Sequence, residues 1–195
     1  GVRRFDDMHA RVIGPGGRLI IEEDELGRAI VANFPATLPS LFRTFCALNG
    51  DSEAIVAGEE RLSFADLDRW SEQMAVALAS RGIAKGDRVG IAMRNCPSWV
   101  VSYMAILKAG AVATLLNGWW QPHEMSHALE LVTPKLILAD APPAKRIEGV
   151  CGSCELISLP IEQHLEQSLA PLLDGSAEMV LPEVTPEDEA TILFT

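Results

Sequence analysis

The stretch Asp87–Asn117, D-R-V-G-I-A-M-R-N-C-P-S-W-V-V-S-Y-M-A-I-L-K-A-G-A-V-A-T-L-L-N, decides the fold class. It reads as strand, helix, strand. Arg88–Met93 is a run of small and apolar residues opened by the Gly86-Asp87 turn. Pro97 suits the first turn of a helix, where its missing N–H costs nothing, and Asn95 stands just before it as a cap. Gly110 ends the helix where a left-handed residue is needed, and Ala111–Leu116 is a second apolar run. Helix Pro97–Ala109 carries Trp99, Val100, Val101, Tyr103, Met104, Ile106 and Leu107 on nearly every face, which predicts burial rather than simple amphipathicity. Two apolar strands joined by a buried helix make a crossover unit of a parallel sheet.

Working outward, Pro122–Val132 reads as a second helix and Lys135–Ala139 as a third strand, extending the unit to β-α-β-α-β. Upstream, Leu38, Leu41, Phe42, Phe45 and Leu48 recur at helical spacing before the Asn49-Gly50 stop. Ala54–Ala57 and Arg61-Leu62 form a small hairpin around Gly58-Glu59. Ser63 then caps a long helix, with Asp66 in capping-box position and Phe64, Leu67, Trp70, Met74 and Leu78 as its buried stripe, closed by Gly82. Residues 1–38 read as an N-terminal arm with a turn at Gly14-Pro15-Gly16-Gly17 and a strand over Arg18–Ile21. Residues 39–195 read as one α/β domain: a largely parallel sheet flanked by helices on both faces. Beyond Pro142-Pro143 the pattern thins to a strand over Glu155–Leu159, a helix over Ile161–Leu173, a loop over Asp174–Pro186 and a last apolar strand, Ala190–Phe194. Ligands of open parallel sheets bind beyond the carboxyl ends of the strands. The loop that would follow the last strand is therefore expected past Thr195.

Composition narrows the class. With 48% hydrophobic and 22% charged residues the chain is globular, not disordered. Its net charge of −11 is uneven: all 16 Lys and Arg precede Ile147, while 10 of the 27 Asp and Glu follow Arg146. Nucleic-acid binding wants a basic stripe, and none is present. No apolar run approaches the length of a membrane span, and no apolar segment follows the Arg3-Arg4 pair to make a secretion signal. Four scattered cysteines, Cys46, Cys96, Cys151 and Cys154, do not make a disulfide framework and point to a reducing cytoplasm.

Two short motifs carry possible chemistry. His123-Glu124-Met125-Ser126-His127 matches H-E-x-x-H, in which two His one helical turn apart hold zinc and the Glu activates a metal-bound water. A third ligand is required, and the next acidic residue after Glu130 is Asp140, at the end of a predicted strand. A zinc peptidase through His123 and His127 is the minor reading, and a polar helix start with chance spacing the major one. Cys151-Gly152-Ser153-Cys154 has the spacing of a redox pair without the strand-then-helix setting that lowers a thiol pKa, and no second pair completes a metal site. No Walker A, G-x-G-x-x-G or G-x-S-x-G sequence occurs.

Six segments, in order and at family spacing, carry a resemblance. Leu62-Ser63-Phe64-Ala65-Asp66-Leu67 resembles the L-[ST]-[YF]-x-E-L of the adenylate-forming enzymes. Gly82–Val89 resembles their G-[VI]-x-K-G-D-R-V, and Leu107–Val112 followed by Leu116-Asn117 resembles L-K-A-G-A-V…P-L-N. Arg94-Asn95-Cys96-Pro97-Ser98-Trp99 and Leu116-Asn117-Gly118-Trp119-Trp120 look like the R-N-x-P-x-W and L-N-x-W-W of the fatty-acid–CoA ligase branch. Glu187–Thr195 resembles the D-x-A-x-I-x-[YF]-T that leads into the phosphate loop T-S-G-[ST]-T-G. The resemblance spans about Leu26–Thr195 and is to the AMP-forming acyl-CoA synthetases.

It implies the N-terminal subdomain of the adenylate-forming fold, incomplete at its C-terminus, and a parent that uses ATP, Mg2+ and coenzyme A on a small carboxylic acid. The acid attacks the α-phosphate of ATP, and the coenzyme A thiol then displaces AMP. Thr195, the first residue of the phosphate-loop motif, is the implied nucleotide contact; no catalytic residue and no metal ligand of the family falls within the chain. Trp119 stands where some relatives place a basic residue toward coenzyme A phosphates; the departure implies stacking in place of a phosphate contact and makes Trp119 the coenzyme A-side candidate. Cys96 replaces a commoner aromatic, and His123–His127 fall where the family has an ordinary helix start. Analogy further implies docking onto the remainder of the chain and a homodimer. The chain alone is expected to be inactive; a non-catalytic α/β interaction domain is the rival reading from another class.

Overall fold

A computed structural model describes residues 7, 11–12 and 17–194. Thr195 and the larger part of the Gly14–Gly17 turn lie outside the described residues. The chain divides into two compact units, Gly1–Ala36 and Thr37–Thr195. The first holds an antiparallel pair, β1 (Ile21–Glu23) and β2 (Ala29–Val31), joined at a turn where Asp24 accepts from the backbone N–H groups of Leu26 and Arg28 at 2.9 Å each. Its first strand begins where the Arg18–Ile21 reading ends, because Ile21 and not Arg18 faces Val31 across the ladder.

The second unit runs α1 (Leu38–Asn49), β3 (Glu53–Ala57), β4 (Glu60–Ser63), α2 (Phe64–Ser80), β5 (Arg88–Ala92), α3 (Pro97–Lys108), β6 (Val112–Leu115), α4 (Pro122–Val132), β7 (Leu136–Ala139), α5 (Ala141–Ile147), β8 (Glu155–Ser158), α6 (Leu165–Leu173) and β9 (Thr191–Ile192). β3 and β4 form the expected hairpin. The remaining strands make one parallel sheet in the order β8-β7-β5-β6-β9.

Alternation along the buried strands loads both faces of this sheet. Val89, Ile91, Leu136 and Leu138 point into a core built with α2, α3 and α6, against Met74, Leu78, Val101, Ile106, Leu169 and Leu172. Ala92, Ile137 and Ala139 point the other way, onto Met125, Ala128 and Leu129 of α4 and Ala144 and Ile147 of α5. α3 is buried as expected, and the burial extends to Lys108, which is 1% exposed. Its ammonium reaches Asp68 Oδ1 at 2.6 Å, the Asp68 carbonyl at 3.0 Å and Glu72 at 3.1 Å on α2, and lies 5.3 Å from the centre of the Phe42 ring on α1. A single cation thus joins three helices.

Helix starts follow local chemistry at α1 and α2, and α3 and α6 are two exceptions. Ser63 and Asp66 form the capping box of α2: the Asp66 N–H donates to Ser63 Oγ at 3.1 Å and the Ser63 N–H to Asp66 Oδ2 at 3.0 Å. The backbone hydrogen bond from Ser63 and the nearby Arg69 hold the Asp66 carboxyl below its usual range. Ser63→Ala is expected to destabilise the unit by about 1 kcal/mol, the usual worth of such a cap, read as a lower urea midpoint at unchanged slope. Gly110 takes φ +71, where a Cβ would also press on Pro182 at 3.0 Å, so only glycine turns the chain from α3 into β6. The first exception is α3, whose cap is Cys96 rather than Asn95, with no side-chain hydrogen bond. The second is α6, which starts at Leu165 because its first N–H is held by Glu60 Oε1 at 2.9 Å, from the β3–β4 hairpin.

Candidate functional site

The chain passes from β5 to β6 on one side of the sheet and from β7 to β8 on the other. Connections leaving neighbouring strands β5 and β7 in opposite directions open a crevice at their carboxyl ends, the usual ligand position in such sheets. Three connections meet there: Met93–Asn95 after β5, Leu116–Trp119 after β6, and Asp140 leading into α5. The first two, with Pro142, Pro143 and Arg146 of α5, line a cavity of about 430 Å³.

The crevice is pinned by charge. Asp140 is fully buried at the end of β7, and its carboxylate accepts from Arg94 Nε at 2.5 Å and from the Arg94 N–H at 3.3 Å. The other side of the guanidinium reaches Glu162 at 2.7 Å. Arg94 is held even more firmly protonated by the Asp140 and Glu162 hydrogen bonds, and Arg94 in turn holds the Glu162 carboxyl low. The buried carboxylate and the forked cation form a fixed post, so Arg94 sets the mouth of the crevice.

Trp119 stands at this mouth, 74% exposed. The Asn117 side chain shapes its loop by accepting the Trp119 N–H at 3.0 Å. Arg146 of α5 donates to the Gly118 carbonyl and places its guanidinium 6.0 Å from the centre of the Trp119 ring. The pair offers a flat aromatic face beside a cation, an arrangement that suits a planar, negatively charged group. Trp120 turns inward and meets Phe194 edge-on, with ring centres 5.1 Å apart. β9 pairs in parallel with β6, so Phe194 emerges beside the loop that follows β6. Thr195 itself lies outside the described residues.

The H-E-x-x-H residues do not join the crevice. Glu124 is committed to the helix start, where Glu124 Oε2 accepts the Gln121 N–H at 2.8 Å, and His123 and His127 are exposed on α4. Among the described residues no group of three His, Cys, Asp or Glu side chains could hold a metal ion, and no helix is long and apolar enough to cross a membrane. Sequence reasoning missed three members of the site: Asp140, Arg146 and the whole of α5. Pro142 and Pro143 look like breakers, yet they occupy the first turn of α5, where proline fits.

Residues 42–195 match the model of the AMP-binding enzyme family. The medium/long-chain-fatty-acid–CoA ligase FadD6 of Mycobacterium tuberculosis is 33% identical over 121 residues, which is 62% of this chain and 20% of that protein. A 3-hydroxybenzoate–CoA/4-hydroxybenzoate–CoA ligase of Thauera aromatica is 27% identical over 154 residues, 75% of this chain and 29% of that protein. The solved structure of a Mycobacterium tuberculosis fatty acyl CoA synthetase superposes with a TM-score of 0.71 at 25% identity, over 82% of this chain and 32% of that one. The chain thus spans about a fifth to a third of the proteins it matches, and its parallel sheet with helices on both faces is the N-terminal subdomain of their fold. Motif order, crevice geometry and family match agree: the chain belongs to the AMP-binding, adenylate-forming enzymes.

Proposed function

We propose that this chain is the N-terminal part of an ATP-dependent carboxylic acid–CoA ligase, with a fatty acid as the acid. The observation that carries the reading is the parallel pairing of β9 with β6, which brings Phe194, the last described residue, against Trp120 beside the loop that holds Trp119. A carboxylate is a poor electrophile; joining it to AMP supplies a good leaving group, which a thiol then displaces. In this scheme Arg94 and Asp140 keep the crevice open at fixed width, and Trp119 with Arg146 receives the nucleotide end of coenzyme A. Magnesium would neutralise phosphate charge when bound. The fatty-acid choice rests on the R-N-C-P-S-W and L-N-G-W-W segments, and the hydroxybenzoate relative makes aromatic acids the competing substrates.

The test is AMP release by the full-length protein with ATP, Mg2+ and coenzyme A, across a series of fatty acids and hydroxybenzoates. The reading requires AMP release that depends on both acid and coenzyme A, with the acyl thioester seen by mass. Release that needs acid but ignores coenzyme A sinks the ligase assignment. Trp119→Ala is expected to raise the KM for coenzyme A about tenfold, the effect of losing one stacked base worth about 1.4 kcal/mol. An unchanged KM removes Trp119 from the coenzyme A side.

A further inference from the structure

The C-G-S-C sequence, which the ligase reading leaves unused, is folded in a way that sets it apart from the other cysteines. Cys151 and Cys154 occupy the connection between α5 and β8, and the Cys154 N–H donates to the Cys151 carbonyl at 3.2 Å. That bond makes the four residues a tight turn, whose end Cα atoms lie within about 7 Å of each other. A disulfide spans Cα atoms roughly 4.4–6.8 Å apart, so the backbone already holds the pair at bonding range. Gly152 takes φ +61 inside the turn, a conformation glycine adopts freely. Both residues are free and half-buried against the core that α4 and α5 build on the sheet, whereas Cys46 is buried apart from them and Cys96 heads α3 without a cysteine neighbour.

We propose that Cys151 and Cys154 are a reversible two-electron redox site that closes an intramolecular disulfide. The oxidant is a low-molecular-weight disulfide. The Cys151 thiolate attacks one of its sulfurs and expels the first thiolate, leaving a mixed disulfide on Cys151. Cys154 then gives up its proton and attacks the Cys151 sulfur, expelling the second. Two protein thiols and one small disulfide become one protein disulfide and two small thiols, so electrons and protons balance. Burial, and then the adjacent Cys151, push the Cys154 thiol upward, which fits its place as the second thiol to react.

The bond reaches the crevice through α5. The N–H groups of Val150 and Cys151 donate to the Ile147 carbonyl at 2.8 and 2.9 Å, so the turn that oxidation locks begins at Cys151, where the turn that ends α5 closes. Arg146, one residue before Ile147, is the cation at Trp119.

The experiment equilibrates the full-length protein against a series of oxidised-to-reduced glutathione ratios. It then quenches with acid, alkylates under denaturing conditions and maps peptides by mass. The peptide holding both cysteines is expected to lose two hydrogens and escape alkylation at ratios that leave Cys46 and Cys96 alkylated. Cys154→Ser is expected to accumulate a glutathione adduct on Cys151, and Cys151→Ser at least about tenfold less adduct on Cys154. The proposal fails if the pair stays alkylatable at every ratio, or if the native protein holds stable glutathione on either cysteine in place of the internal bond. Equal adducts on the two variants overturn the order of attack. None of these readouts depends on ligase activity.

Discussion

Lys108→Ala is expected to destabilise the α/β unit by about 4 kcal/mol, and Lys108→Met by only about 1 kcal/mol. The difference separates two things the lysine does. Its stem fills space between α1, α2 and α3, and truncation leaves a cavity of the kind that costs about 2–5 kcal/mol. Its ammonium neutralises Asp68 and Glu72, which are 40% and 46% exposed at their side chains and can turn to water once the cation has gone. Methionine keeps the stem, so the packing term stays and only the ion-pair term is lost. Urea midpoints at constant slope measure both; equal losses for the two variants would show that the charge, not the stem, holds the helices.

The same pair carries a pH signature. Burial alone would raise the Glu72 carboxyl, but hydrogen bonds and charge from Lys108, with help from Arg43, outweigh it and hold the group low. A carboxyl whose folded value lies below its unfolded value adds stability that is present above the unfolded value. That stability is lost as pH falls through the folded one. The acid side of the stability profile is therefore shallower in Lys108→Met than in the native protein.

Gly90→Val is expected to be the most damaging change in the sheet, at about 3 kcal/mol, with Gly90→Ala at about 1–2 kcal/mol. Gly90 sits in the central strand opposite Thr114 and Ile137. A Cβ there would stand 2.9 Å from Leu116 Cδ1 and 3.1 Å from Ile137 Cγ1. The Leu116 tip can swing, but Ile137 is fully buried between β5 and α4, α5 and cannot. Because Leu116 begins the loop to Trp119, the valine variant also displaces one wall of the cavity. The check is thermal unfolding of the three forms; a valine variant as stable as the native protein would mean that the sheet and α4 have slack where the packing shows none.

The parallel sheet was legible because its signals are local. Short apolar strand runs, Pro97 at a helix start and Gly110 at a helix end all lie within a few residues of what they control. The crossover Asp87–Asn117, the Ser63–Asp66 box and the strand Lys135–Ala139 could be read for that reason. What escaped depends on distant partners. The start of α6 moved from Ile161 to Leu165 because its cap, Glu60, lies 105 residues away. Asp140 looked like a strand end until Arg94, 46 residues earlier, was found on it. Lys108 gave no local sign of its role, and only Asp68 and Glu72 on α2 explain why it is the most buried cation of the unit. At the crevice, Trp119 could be named from its motif, but its partner Arg146 could not, because two prolines disguised α5.

The measurement that bears most directly on the central claim is acid-dependent exchange of pyrophosphate into ATP, run on the full-length protein and on the 195-residue chain side by side. The account predicts exchange by the full-length protein that rises with added fatty acid and needs no coenzyme A, and none by the isolated chain. Exchange by the chain alone, or its absence from the full-length protein with every carboxylic acid tried, would contradict it.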